Sequence, residues 1–314
     1  MRHQAELPKV SIIIPCYDQA NLLLRAVNSV LVEKSVPIEV IVIDDGSTHS
    51  AFHVLEKIED QRLHFVRHED NRGVAEARNT GLNLARGKWV RFLDADDYMM
   101  PSMLEGALKL DVNSDILYGD WLEIDNNKQK KLRPDFDPTG NVYEQLLTAN
   151  VFPIHSVLVK REILMDINGF DGEVYHEDWD LWLRLSKVSK HGFHYVGDSG
   201  AVYCKSLGTR SYDAYQSARH ELTYLLSLRD RKLPIKDDAF NRILRKKYYQ
   251  LALLELVKEN KKGVAGWLSH CEPLTLVQKV EIALAGSPVT RVFLGKFPGP
   301  RKLKRLIKNS WRGL

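Results

Sequence analysis

Trp89-Val90-Arg91-Phe92-Leu93-Asp94-Ala95-Asp96-Asp97 carries an apolar, strand-like run straight into three carboxylates. Three such groups within four positions repel one another unless positive charge sits among them. Hard divalent cations such as Mg²⁺ or Mn²⁺ take oxygen ligands and often reach a protein through one or two carboxylates plus substrate phosphates. A second reading is an Asp-rich turn that caps the following helix, since Asp favours turns and N-caps. The stretch alone leaves both open.

Upstream the same grammar recurs. Val10-Ser11-Ile12-Ile13-Ile14 reads as a buried strand stopped by Pro15, and Asn21 to Val32 has apolar residues at helical spacing. Glu39 to Ile43 is a second strand, ending at Asp44-Asp45-Gly46-Ser47-Thr48, where Ser47 or Thr48 is expected to cap a helix running to about Glu59. Leu63 to Val66 and Trp89 to Leu93 supply two more strands, separated by a helix over Val74 to Ala85. Near-continuous apolar strands alternating with amphipathic helices predict an α/β fold, a parallel sheet covered on both faces. Ligands of such sheets bind at the carboxyl ends of the strands. Pro15 to Asp18, Asp44-Asp45 and Asp94 to Asp97 are therefore expected to converge on one edge.

From about Asp111 to Gly208 the pattern is mixed, with short strands at Val157-Leu158-Val159 and Phe193-His194-Tyr195-Val196. Beyond Tyr212 helical spacing dominates, over Arg219 to Leu228, Phe240 to Glu259 and Leu274 to Ala285. The chain of 314 residues, 44% apolar and 27% charged, fits a soluble domain of 1–210 and a helical C-terminal region of 211–314. Its net charge of +4 is unevenly spread: Thr290 to Leu314 carries eight Lys or Arg and no Asp or Glu, which leaves the rest slightly acidic. That basic tail suits peripheral contact with anionic phospholipid, the alternative being a solvated end with no partner. Three scattered cysteines form neither a disulfide framework nor a CxxC site. Met1 to Lys9 has no apolar signal core, and no run reaches the roughly 18 residues of a membrane span. A cytoplasmic location, with the inner membrane face in reach, is the expectation; nucleic acid is not an expected partner.

Two further segments bear chemistry. Asn71 to Gly81 puts Arg72 and Arg78 at the start of a helix near the sheet edge, where a guanidinium fork or a helix N-terminus suits diphosphate. His176-Glu177-Asp178-Trp179-Asp180-Leu181 opens an amphipathic helix, and one of its acids could act as a general base, although acids also suit a first turn on dipole grounds. His155 and Cys204 read as structural. Asp44-Asp45 could also be the acidic pocket of a phospho-accepting receiver domain, but the following strand ending in an acceptor Asp and the later strand ending in Lys that it would need are not evident.

In order and spacing these pieces resemble glycosyltransferase family 2, the inverting enzymes of GT-A fold. The resemblance rests on Ile14-Pro15-Cys16-Tyr17-Asp18, Val42-Ile43-Asp44-Asp45-Gly46-Ser47, Asn71-x-Gly73-x-x-x-Ala77-Arg78-Asn79-x-Gly81, Phe92-Leu93-Asp94-Ala95-Asp96-Asp97, Gly169-Phe170-Asp171 and Glu177-Asp178-Trp179-Asp180-Leu181. It covers roughly residues 8 to 210. It implies a Rossmann-like, mostly parallel sheet with helices on both faces, and a nucleotide-sugar donor held by Pro15, Tyr17, Asp44 or Asp45, and Arg78. Asp94 would lie nearer the ribose and Asp96 nearer a Mn²⁺ or Mg²⁺ ion and the diphosphate. Asp178 would be the base, with Glu177 its neighbour. Where many relatives carry a Tyr-Arg-x-His segment this chain has Tyr203-Cys204-Lys205-Ser206, so any charge there would come from Lys205 or Arg210.

The function implied is transfer of a sugar, UDP-linked, to a hydroxyl of a glycan or lipid-linked acceptor in cell-surface polysaccharide synthesis. The alternative is a catalytically silent nucleotide-sugar or glycan-binding module. A sugar nucleotidyltransferase would favour a Gly-rich loop bearing Arg or Lys after the first strand, which Pro15-Cys16-Tyr17-Asp18 does not supply.

Overall fold

The computed structural model describes residues 7–100, 103–109, 113–125, 128–134, 142–147, 149–205, 214–230, 237–257 and 260–271. The chain divides into two compact units, Met1–Ser206 and Leu207–Leu314.

In the first unit, β1 (Val10–Cys16) is the centre of a parallel half-sheet. It pairs on one side with β2 (Ile38–Asp44), which pairs in turn with β3 (Leu63–Arg67), and on the other side with β4 (Trp89–Phe92). Every residue of β1, β2 and β4 is buried, as a sheet covered on both faces requires. Side chains alternate between the faces. Val10, Ile12 and Ile14 pack with Val40, Val42 and the inward stripe Leu23, Ala26, Val27, Val30 and Leu31 of α1 (Ala20–Leu31). On the opposite face Ile13 meets α3 (Val74–Leu84) at Gly81, where a Cβ would lie 2.4 Å from Ile13 Cγ2. Each fully buried Ile, Leu or Val contributes roughly 1.5–3 kcal/mol of transfer free energy.

The helix expected from Ser47 to Glu59 shrinks to α2 (Phe52–Leu55). The Asp44 carboxylate explains this: it accepts the backbone N–H groups of Ser47 (3.0 Å) and Ala51 (2.9 Å), which holds that segment as a turn.

Beyond β4 the sheet turns mixed. A two-residue strand, β5 (Tyr98–Met99), follows the aspartates, and α4 spans Met103–Lys109. Next come β6 (Ile116–Asp125), β7 (Lys128–Leu132), α5 (Tyr143–Leu146), β8 (Val157–Lys160), α6 (Arg161–Asp166), α7 (Glu177–Val188) and β9 (Phe193–Lys205). The order across the sheet is β3-β2-β1-β4-β8-β6-β9-β5, with β7 on β6. β8 runs antiparallel to β4, β6 antiparallel to β8, and β9 parallel to β6. β9 is longer than the four residues expected because its second half pairs with both β6 and β5. That pairing carries Tyr203 and Cys204 to the end of the sheet where the aspartates sit.

The second unit holds α8 (Ala214–Asp230), α9 (Asp237–Val257) and α10 (Lys261–Leu268). Tyr249, Leu253 and Cys271 form its buried cluster, flanked by Tyr248 and Leu268. Asn260 caps α10 by accepting Gly263 N–H at 3.1 Å, and Lys247 pairs with Glu221. Among the described residues no helix is long and apolar enough to cross a membrane. The helix expected over Leu274 to Ala285 and the basic tail from Thr290 lie outside the described residues.

Candidate active site

At the carboxyl edge of the parallel strands the loops are stitched together by carboxylates. Asp18, in the left-handed region at φ 51°, accepts Thr48 N–H (2.8 Å) and Thr48 Oγ1–H (3.1 Å), while its own N–H donates to Ser47 Oγ at 3.0 Å. Asp45 accepts Arg72 N–H (3.0 Å) and Gly73 N–H (2.8 Å), and lies 2.6 Å from His68 Nδ1. His68 Nε2 reaches Thr80 Oγ1 at 2.9 Å, tying the β2 exit to α3. The Asp44-Asp45 pair thus fixes the entries to two loops.

Arg78 links the acidic motifs. Its side chain is 3% exposed; one Nη donates to Asp94 Oδ1 at 2.7 Å and the other to Glu177 Oε1 at 2.8 Å. The guanidinium also lies over the Phe170 ring, 5.3 Å from its centroid. Burial alone would lower the Arg78 pKa, but Asp94 and Glu177 outweigh it and hold the group firmly charged. Glu177, 99 positions further along the chain, is so brought to the Arg78 guanidinium.

The Gly169-Phe170-Asp171 motif makes this meeting possible. Gly169 adopts φ +64°, and a Cβ there would lie 2.3 Å from Asn79 Oδ1. Asn79 then forms a reciprocal pair with Phe170, accepting its N–H (2.8 Å) and donating to its carbonyl (2.9 Å). The loop docks on α3, and α7 begins beside Arg78. Trp179 and Trp182 anchor that helix by donating Nε1–H to the carbonyls of Leu146 (2.5 Å) and Phe152 (3.3 Å).

Asp178 is half-buried at the start of α7. Its Oδ1 accepts Trp179 N–H and its Oδ2 accepts Asn150 Nδ2–H, each at 2.8 Å. Burial, then the neighbouring Glu177 charge, pushes its pKa up to about 6, against the opposing pull of Asn150 and Arg78. That suits a base poised near neutral pH.

One carboxylate oxygen each from Asp94, Asp96 and Asp97 lies within 4.8 Å of the others. Burial and Asp94 raise the Asp96 pKa, and the same two causes push Asp97 up to about 9. An all-oxygen set under such mutual repulsion fits a hard divalent cation. Behind it, Asp97 Oδ1 accepts Cys204 N–H at 2.7 Å, and its Oδ2 lies 3.1 Å from Nδ1 of the fully buried His155 without the alignment of a hydrogen bond. His155 stacks on Tyr203 at 5.6 Å, and burial drives its pKa down to about 4.

Of the residues expected to hold the donor, Tyr17 is 47% exposed and the Asp94 side chain 33% exposed, with Asp96 half-buried. Pro15 is buried opposite Ile43, Asp44 has no exposed surface, and Asp45 and Arg78 retain only 3% each. At this edge Tyr17, Asp94 and Asp96 thus present exposed surface, while Pro15, Asp44, Asp45 and Arg78 lie beneath it. Lys205, expected to supply charge, is instead paired with Glu123 at 2.6 Å, and Arg210 lies outside the described residues. Asn150 and His68 were not visible as site residues in the sequence, because each arrives from a loop through tertiary pairing, while His155, expected to be structural, is buried behind the cluster. Asn79 and Phe170 carried a signal, their place inside two motifs.

The Glycosyl transferase family 2 profile matches residues 11–167. Over 194 residues the chain is 32% identical to an uncharacterised glycosyltransferase of Haemophilus influenzae, covering 60% of this chain and 76% of that protein. It is also 32% identical, over 182 residues, to the UDP-Glc:alpha-D-GlcNAc-diphosphoundecaprenol beta-1,3-glucosyltransferase WfgD of Escherichia coli, covering 57% of this chain and 70% of that one. In fold it resembles a mannosyltransferase of Pyrobaculum calidifontis solved in complex with GDP-Man and Mn²⁺, at a TM-score of 0.62 and 21% identity over 96% of this chain and 84% of that one. The architecture is of GT-A type, and the chain belongs to glycosyltransferase family 2.

Proposed function

We propose that the protein transfers a sugar from a UDP-linked donor to a hydroxyl of a glycan or lipid-linked acceptor, with inversion, during cell-surface polysaccharide synthesis. The observation that carries this reading is the Arg78 bridge, which sets the Asp94–Asp97 cluster and the Asp178 helix on either side of one charge. The lipid-diphosphate acceptor in the name of the Escherichia coli relative supports the acceptor class, and the mannosyltransferase solved with Mn²⁺ supports the metal.

In the proposed reaction Asp178 takes the proton of the acceptor hydroxyl as that oxygen bonds to the anomeric carbon and the bond to the diphosphate breaks. Asn150 keeps the carboxylate aimed, and Arg78 favours its ionised form. Tyr17 and the wall built by Asp44 and Asp45 would receive the nucleoside. Asp94, Asp96 and Asp97 would hold Mn²⁺ or Mg²⁺, which when bound neutralises charge on a departing diphosphate. We place the reaction at the inner face of the membrane, where a lipid-linked acceptor and the basic tail would meet. Residues 1–210 would carry the chemistry and 211–314 would serve the acceptor side or association.

Incubation with labelled nucleotide-sugars tests this directly. Nucleoside diphosphate released faster with acceptor than without supports transfer. Tight donor binding with no release under any acceptor would make the chain a binding module instead.

A further inference from the structure

We propose that Arg25, on α1 and outside every motif described above, contacts the diphosphate of the nucleotide-sugar; this rests on the sugar-transfer reading. The α1 stripe that packs on the sheet leaves Arg25 on the outer side of the helix, exposed. One Nη donates to the Asp96 carbonyl at 2.5 Å, and the guanidinium lies over the Tyr98 ring, 5.1 Å from its centroid. One turn further on, Ser29 Oγ accepts Met99 N–H at 3.0 Å. Arg25 and Ser29 thus strap the Asp94–Met99 loop along α1.

The strap uses only part of what the guanidinium offers. It has five N–H donors in a planar fork that matches phosphate geometry. Its described partners are a neutral carbonyl, an aromatic face and the Cys204 thiol, and its charge acts on the carboxylates of both Asp96 and Asp97. Two other cations of this edge are committed: Arg78 is closed between Asp94 and Glu177, and Lys205 is held by Glu123. A diphosphate beside three carboxylates needs positive charge from the protein as well as from an ion. Arg25 lies against the cluster, and among the described residues no carboxylate closes its fork at ion-pair distance.

Calorimetric titration of the full chain with UDP, GDP and dTDP in Mn²⁺ picks the tightest diphosphate as probe, with the matching monophosphate as control. Arg25→Gln should weaken the diphosphate about tenfold or more, since hydrogen bonds to charged groups are worth ~1.5–3 kcal/mol. The monophosphate should change little, and Arg25→Lys should recover part of the loss. Equal weakening of mono- and diphosphate would mean that Arg25 only straps the loop, and unchanged diphosphate affinity would remove it from the site; either overturns the proposal. Should the unaltered protein bind none of the three diphosphates, the sugar-transfer reading falls and this inference with it.

Discussion

The family resemblance puts Arg78 near the nucleotide pocket, and in the structure its guanidinium is closed between Asp94 and Glu177. Removing it would leave Asp94 and Glu177 facing each other without a counterion, so Arg78→Ala should damage both donor binding and turnover. Asp178 carries the sharper prediction. Asp178→Asn should leave donor affinity nearly unchanged and cut turnover by roughly 10² or more, because positioned general bases contribute about 10²–10⁴-fold. A base must be ionised to accept a proton, and the Asp178 carboxyl is raised to about 6. Turnover should therefore plateau above that pH and fall about tenfold per unit below it. Asn150 donates to Asp178 Oδ2 and so favours the ionised form. Asn150→Leu should move the acid limb of the profile to higher pH, and a limb that stays put would show that the contact does not act on the base.

The contact between α3 and the Gly169 loop decides where α7 starts. Gly169→Ala would force a side chain into the left-handed region, at about 1–3 kcal/mol, and press a Cβ onto Asn79. A lowered melting temperature together with a lower turnover is the expected outcome, since α7 carries Asp178. Much of this architecture is legible in the sequence. The buried strands β1, β2 and β4 announce themselves by unbroken apolar runs, and α1 by a clean inward stripe. What could not be read has a common physical cause. Asp44 spends its carboxylate on the turn after β2, which truncates α2, and nothing local distinguishes that Asp from a ligand. Asn150 reaches Asp178, and His155 reaches Asp97, only because the chain returns through β8 antiparallel to β4.

For the molecule as a whole the unequal distribution of charge matters most. Three carboxylates crowd one edge of the first unit, and the sequence places its basic excess at the far end of the chain. Chelation by EDTA, or Asp96→Ala, should weaken donor binding, read as a loss of donor-induced thermal shift. The tail should draw the protein to anionic vesicles in a salt-sensitive way. Co-sedimentation that is indifferent to anionic lipid, or to deletion of Thr290 to Leu314, would show that the tail does not bind the membrane. The decisive measurement is the structure with UDP and Mn²⁺ bound. An ion is expected between Asp96 and the diphosphate, with the Asp178 carboxylate facing the position of the sugar. A diphosphate bound away from Asp96, or an Asp178 turned from the cleft, would contradict it.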